Sequence, residues 1–185
     1  MLVQLAFHQQ AASTPGRSLL EGTLMIILGV DPGPERSAWV LWDADDQIVL
    51  EGGHDTNDYI REYVPSNNAV LVAAIEMVKC YGAPVGQSVL DTVYDSGRLH
   101  ELWVRSQAGR SVMLITRPDV CAHLCNTPKA KKPQVNQALR DRFGGKGTKA
   151  NPGPFYGVKS HMWDAVAVAV VAGDVLNALG IEEKP

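Results

Sequence analysis

Two apolar runs in this chain each end in a single carboxylate. Residues 24–31 read Leu-Met-Ile-Ile-Leu-Gly-Val-Asp, and Pro32-Gly33 follow at once. Residues 69–76 read Ala-Val-Leu-Val-Ala-Ala-Ile-Glu. Runs this short, apolar and β-branched predict strands covered on both faces. Each acid is therefore fixed at a strand end with a core behind it. Pro32 and Gly33 force a turn after Asp31. As parallel neighbours, the strands would bring Asp31 and Glu76 close together. Two carboxylates so placed repel unless a cation lies between them. Taken alone, Asp31 also fits a turn-forming Asp before Pro-Gly; the pair points to a metal.

The length, 185 residues with 45% hydrophobic, supports one sizeable core and one domain. No apolar run reaches the ~18 residues of a membrane span, and no basic stretch precedes an apolar one as in a signal peptide. Three cysteines, Cys80, Cys121 and Cys125, do not suggest a disulfide framework, and a reducing cytoplasm fits. Cys121 and Cys125 flank His123, but the second ligand pair of a zinc site is missing, so both are expected as buried thiols.

Charge is distributed unevenly. The whole chain carries −3, yet residues 98–160 hold twelve basic residues against three acidic ones, an excess of +9. A basic half beside an acidic half suits a protein that grips a polyanion next to metal-binding carboxylates. Solvated helix faces are the plainer explanation of the same charges.

Residues 1–24 show no usable periodicity and read as an appendage, poorly ordered or peripheral, ahead of a domain over 25–185. Deleting the appendage is expected to leave folding and activity intact. After the first strand, Ser37–Trp42 and Gln47–Gly53 predict two more strands, forming an antiparallel meander. Asp43, Asp45 and Asp46 lie between them. They lack the glycine and late Glu of a calcium loop and read as a solvated turn. A short helix is expected over 57–64. The loop from Met77 to Val85 leaves the carboxylate end of the sheet, which places Lys79 and Tyr81 to touch substrate. Tyr81 is able to stack on an exposed base or pack on the next helix. A helix over 86–107, a fifth strand over 111–115 and a helix from Arg117-Pro118 to Leu124 follow.

The basic loop 127–132, a helix over 133–143 and the Gly-rich loop 144–149 can together clamp a phosphate backbone through Lys129, Lys131, Lys132, Lys146 and Lys149. The last helix is expected from about Ser160, as N-cap, to Leu179. His161 and Asp164, three apart, share one face of its first turn. They could face Asp31 and Glu76, or serve as a capping residue and a first-turn acid favoured by the helix dipole.

Asp31-Pro32-Gly33, Ile75-Glu76 and His161-x-x-Asp164-Ala165, in this order and spacing, resemble the RuvC Holliday-junction resolvases, most of all their divergent phage and prophage members. The likeness covers residues 25–179, and Lys131-Lys132 with Gln134-Val135 resembles the family's basic helix start near the active site. The resemblance implies an α/β, RNase H-like (retroviral integrase) fold with a five-stranded mixed sheet flanked by helices. It implies a structure-selective endonuclease for four-way or other branched DNA, with Asp31, Glu76, His161 and Asp164 as catalytic metal ligands. It further implies Mg²⁺, with Mn²⁺ able to substitute, a homodimer, and a place in the cytoplasm of a bacterial or phage-infected cell. Two positions depart from the pattern. Some relatives place Asp where this chain has His161. The family's base-contacting aromatic falls at Lys79 here, and Tyr81 stands in for it. The alternatives are a catalytically idle DNA-binding protein of this fold, or an RNase of the same superfamily. An actin-like ATPase needs a second domain for which this length leaves no room.

Overall fold

The computed structural model describes residues 25–66, 70–80, 82, 84–106 and 111–180. The N-terminal segment 1–24 and Tyr81 lie outside these residues. Strands β1 (Ile26–Asp31), β2 (Arg36–Asp43), β3 (Ile48–Thr56), β4 (Val70–Met77) and β5 (Ser111–Thr116) form one sheet in the order β3-β2-β1-β4-β5. The β3-β2-β1 half is antiparallel, while β4 and β5 run parallel to β1. The five-stranded mixed sheet is thus as expected.

Period-two alternation within the apolar strands sorts them onto two faces. Ile26, Leu28 and Val30 of β1 join Ala73 and Ile75 of β4 in one core. Helices α1 (Asn57–Ser66) and α2 (Gln87–Ser106) cover that face, through Ile60, Leu99 and Trp103. Ile27, Ala74, Met113 and Ile115 point the other way, into a core shared with α3 (Arg117–Cys125), α4 (Lys132–Phe143) and α5 (Met162–Ala178). Helix α5 is buried almost all round from Met162 to Gly173, as its composition requires.

The contact that sets the depth of α5 is at Gly29. A β-carbon there would lie 2.1 Å from the Ala165 carbonyl oxygen and 2.9 Å from Ala169 Cβ. Strand and helix therefore meet backbone to backbone, two residues before Asp31 and one after Asp164. At the rear of the same layer, Asp174 of α5 accepts a two-pronged ion pair from Arg142 and a hydrogen bond from His123 Nε2 at 2.7 Å. This fastens α3 and α4 to α5. Arg142 and His123 hold the Asp174 carboxyl below its usual range against the opposing effect of burial.

Three expectations need correction. Strand β3 does not stop at Gly53 but continues to Thr56; a β-carbon at Gly52 would crowd the Trp39 carbonyl and Met162 of α5, and one at Gly53 would meet the Asp55 carboxylate, so both glycines give clearance rather than end the strand. Asp43 is buried, not solvated, because its Oδ1 accepts the N–H groups of Asp45 and Asp46 at 3.0 Å and closes the turn from inside. Ser160 is not the N-cap of α5. It adopts φ 41°, outside the extended conformation a capping Ser needs, and His161 takes the position. Cys121 is buried as expected and donates to the Ala130 carbonyl at 3.3 Å, Cys125 is half-buried, and Cys80 is exposed.

Candidate metal centre

Strand parity decides which side chains enter the site. In β1 the row facing α5 is Ile27, Gly29, Asp31; in β4 it is Val72, Ala74, Glu76; in β5 it is Met113, Ile115 and, at the next step, Arg117. The parallel register pairs Val30 with Ile75, so Asp31 and Glu76 leave adjacent strands side by side. Helix α5 starts above these ends and brings in Asp164. Ligand atoms of Asp31, His161 and Asp164 all lie within 4.8 Å of one another. An ion bonded at about 2.1 Å to each needs them within about 4.2 Å, so a small contraction suffices. Glu76 stands just outside this group, close enough for Asp31 and Asp164 to act on its charge.

The turn that carries Asp31 is braced from below. Gly33 is obligatory, because a β-carbon would sit 2.3 Å from the Arg36 carbonyl oxygen. Its N–H donates to Ser37 Oγ at 3.1 Å, and its carbonyl accepts from Asn57 Nδ2 at 3.0 Å. Ser37 Oγ donates to Asn57 Oδ1 at 2.7 Å, and both residues are buried. The network is satisfied at each of these groups, which makes the turn rigid.

His161 Nδ1 lies 3.0 Å from Asp31 Oδ2. An ionised carboxylate only accepts, so the shared proton sits on Nδ1 and the Nε2 lone pair is left for a metal or a proton. The ring stacks on His54 of β3, with centroids 5.7 Å apart and planes 28° from parallel. His54 pairs with Ala38, which pairs with Asp31, so the three occupy one line across the sheet.

Asp164 is nearly buried and bound by two cations. Arg117 Nη1 donates to Oδ1 at 2.7 Å, and Lys132 Nζ, at the start of α4, donates to Oδ2. Among the described residues no Lys or Arg pairs directly with Asp31 or Glu76. Burial, then the nearby Asp164 charge, raises the Asp31 carboxyl above its usual range, although the His161 hydrogen bond opposes this. Burial, then Asp31, pushes Glu76 up to about 7. Negative charge in the pocket therefore exceeds what the protein's own cations neutralise. Hard oxygen donors with one imidazole suit a divalent cation such as Mg²⁺ or Mn²⁺, and the residues fit that group.

The sign of the resulting pH effect is fixed. Glu76 is raised on folding, from 4.5 to about 7, so between these values the folded state holds the extra proton. The contribution of Glu76 to the stability of the metal-free protein is then fully present below pH 4.5 and lost as pH rises through 7. At about 1.4 kcal/mol per pKa unit the loss is on the order of 3 kcal/mol. Denaturant unfolding in chelator at pH 5 and pH 8 should show this fall, and Glu76→Gln should flatten most of it. Equal slopes in both proteins would contradict it.

The basic residues divide. Lys79, Lys129, Lys131 and Lys149 are exposed. Lys132 is engaged by Asp164, and Lys146 donates to the Val158 carbonyl with its Nζ 5.5 Å from the Trp163 ring centroid. Lys146 thereby draws the Gly-rich loop against the start of α5, beside the pocket. Sequence reasoning missed two site residues. In the sequence Arg117 stands as one of twelve basic residues and as the start of a helix, and only the parity of Met113 and Ile115 carries it to the site. His54 lies beyond Gly53, where the sequence pattern ends the third strand, and it enters the site because β3 runs on to Thr56.

No family model matches the sequence, and no curated protein matches it either. Solved structures do. RuvC of Thermus thermophilus superposes with a TM-score of 0.59 at 19% identity, over 87% of this chain and 99% of that one. T. thermophilus RuvC in complex with a Holliday junction substrate gives a TM-score of 0.59 at 19% identity, over 84% and 96%. The fold is that of RuvC, an RNase H-like fold.

Proposed function

We propose that this protein is a divalent-metal-dependent endonuclease that cuts branched DNA, with four-way junctions as its substrate. The observation that carries the reading is the convergence of Asp31, His161 and Asp164 beside Glu76 at one end of a RuvC-like sheet. One of the similar structures is bound to a Holliday junction, which favours that substrate here. Divalent ions held here would supply Lewis acidity for phosphodiester hydrolysis, whose product is a nick with a 5′ phosphate. Asp31, Glu76 and Asp164 would be the carboxylates that hold the ions, with Asp31 the central one. His161, steered by Asp31, would serve through Nε2 as ligand or proton acceptor. The exposed lysines Lys79, Lys129, Lys131 and Lys149 would hold the phosphate backbone, with Tyr81 against a base. Symmetric cutting of a four-way junction needs two such sites, so the working form is a C₂ homodimer.

A second reading, a DNA-binding protein without turnover, is favoured by one observation: Asp164 already has a cation on each oxygen. Substrates decide between the two. Four-way, flap, splayed and linear DNA are incubated side by side with Mg²⁺, Mn²⁺ or chelator. Paired nicks in the four-way junction with either metal, Mn²⁺ at least as effective as Mg²⁺, and none in chelator are expected. Tight junction binding with no cleavage in either metal would favour the idle protein.

A further inference from the structure

The two cations on Asp164 are not equivalent. Arg117 is the N-terminal residue of α3, directly after β5, and its side chain is 30% exposed. It also lies within electrostatic reach of Glu76. A planar guanidinium so framed is committed to its place. Lys132 reaches in from the first residue of α4 on a flexible stem, and its side chain is 39% exposed against 9% for Asp164. It lies between solvent and a nearly buried carboxylate oxygen.

We propose that Lys132 is an exchangeable counter-ion of Asp164: it occupies the oxygen that a second divalent ion requires, and it is released toward the backbone phosphate of bound DNA when that ion arrives. Arg117 stays on the other oxygen throughout and positions Asp164. The inference rests on the metal-dependent reading above. It has a thermodynamic consequence. The site takes up its ions unequally, the first through Asp31 and Glu76, the second through Asp164 in competition with an ammonium group. Phosphate that captures Lys132 must raise affinity for the second ion, and the second ion must raise affinity for phosphate.

The test is calorimetric titration of the DNA-free protein with Mn²⁺ at pH 8, where Glu76 is ionised. The wild-type protein should bind one ion tightly and one weakly. Lys132→Gln should tighten the weak step by about five- to tenfold, the effect of removing one partly exposed ion pair, and change the tight step less, because Lys132 acts on Asp31 and Glu76 without a direct bond. A second readout follows Lys132 itself. Its rate of reductive methylation, read by mass spectrometry, should rise as the weak step saturates. Unchanged binding in Lys132→Gln, or a methylation rate indifferent to Mn²⁺, would overturn the exchange and leave the nuclease reading standing. Absence of Mn²⁺ binding in wild type, or equal binding by Asp31→Asn, would overturn both.

Discussion

Asp31→Asn is expected to abolish cleavage of a four-way junction while leaving its binding intact. The carboxylate would be the central group holding the ions, and an amide cannot replace its charge. Loss of several kcal/mol of transition-state stabilisation corresponds to roughly a thousandfold or more in rate. The fold should not suffer. Asp31 is held above its usual range by burial and by Asp164, so in the metal-free protein its charge is a cost. Asn keeps an oxygen to accept from His161 Nδ1. Unfolding free energy in chelator should therefore be equal or higher than wild type, and Glu76, relieved of a neighbouring charge, should titrate lower. Cleavage within tenfold of wild type would remove Asp31 from the chemistry. A drop in chelator stability would mean that its charge is compensated by something other than a metal.

Gly29→Ala should damage fold and site together. The added methyl would lie 2.1 Å from a backbone oxygen of α5, and backbone cannot turn aside as a side chain can. Helix α5 must lift from β1. Overpacking of this kind costs about 1–3 kcal/mol or more. Asp164 is one residue before Ala165, so the lift also carries it away from Asp31, and Mn²⁺ affinity should fall with stability. Gly97→Ala in α2 is the control. There the methyl meets nothing within 4 Å, and a helical Gly→Ala change should stabilise by about 0.5–1 kcal/mol. Equal stability of the two variants would show that α5 does not rest on Gly29.

Much of the site's scaffold was legible in the sequence, for a specific reason. Strands buried on both faces must be apolar, so the first acid at their end is conspicuous, and Asp31 and Glu76 stand out. Helix α5 is likewise marked by its unbroken apolar stretch, with His161 and Asp164 just ahead of it. What escaped depended on geometry without a compositional mark. Arg117 belongs to the site by strand parity, which requires the register of β5. His54 belongs through the continuation of β3 past two glycines, which read as a stop and act as clearance, Gly52 for Met162 of α5 and Gly53 for the Asp55 carboxylate. The role of Lys132 could not be separated from that of its neighbours, because a loop sequence does not say which lysine turns inward. Ser160 failed as a cap because its backbone is left-handed, which no residue preference announces.

The most direct measurement is anomalous diffraction from crystals grown with Mn²⁺. The account predicts an anomalous peak bonded to Asp31, with Glu76, His161 or Asp164 completing its coordination. A well-ordered pocket with Asp164 still held by Arg117 and Lys132, and no anomalous peak at Asp31, would contradict it.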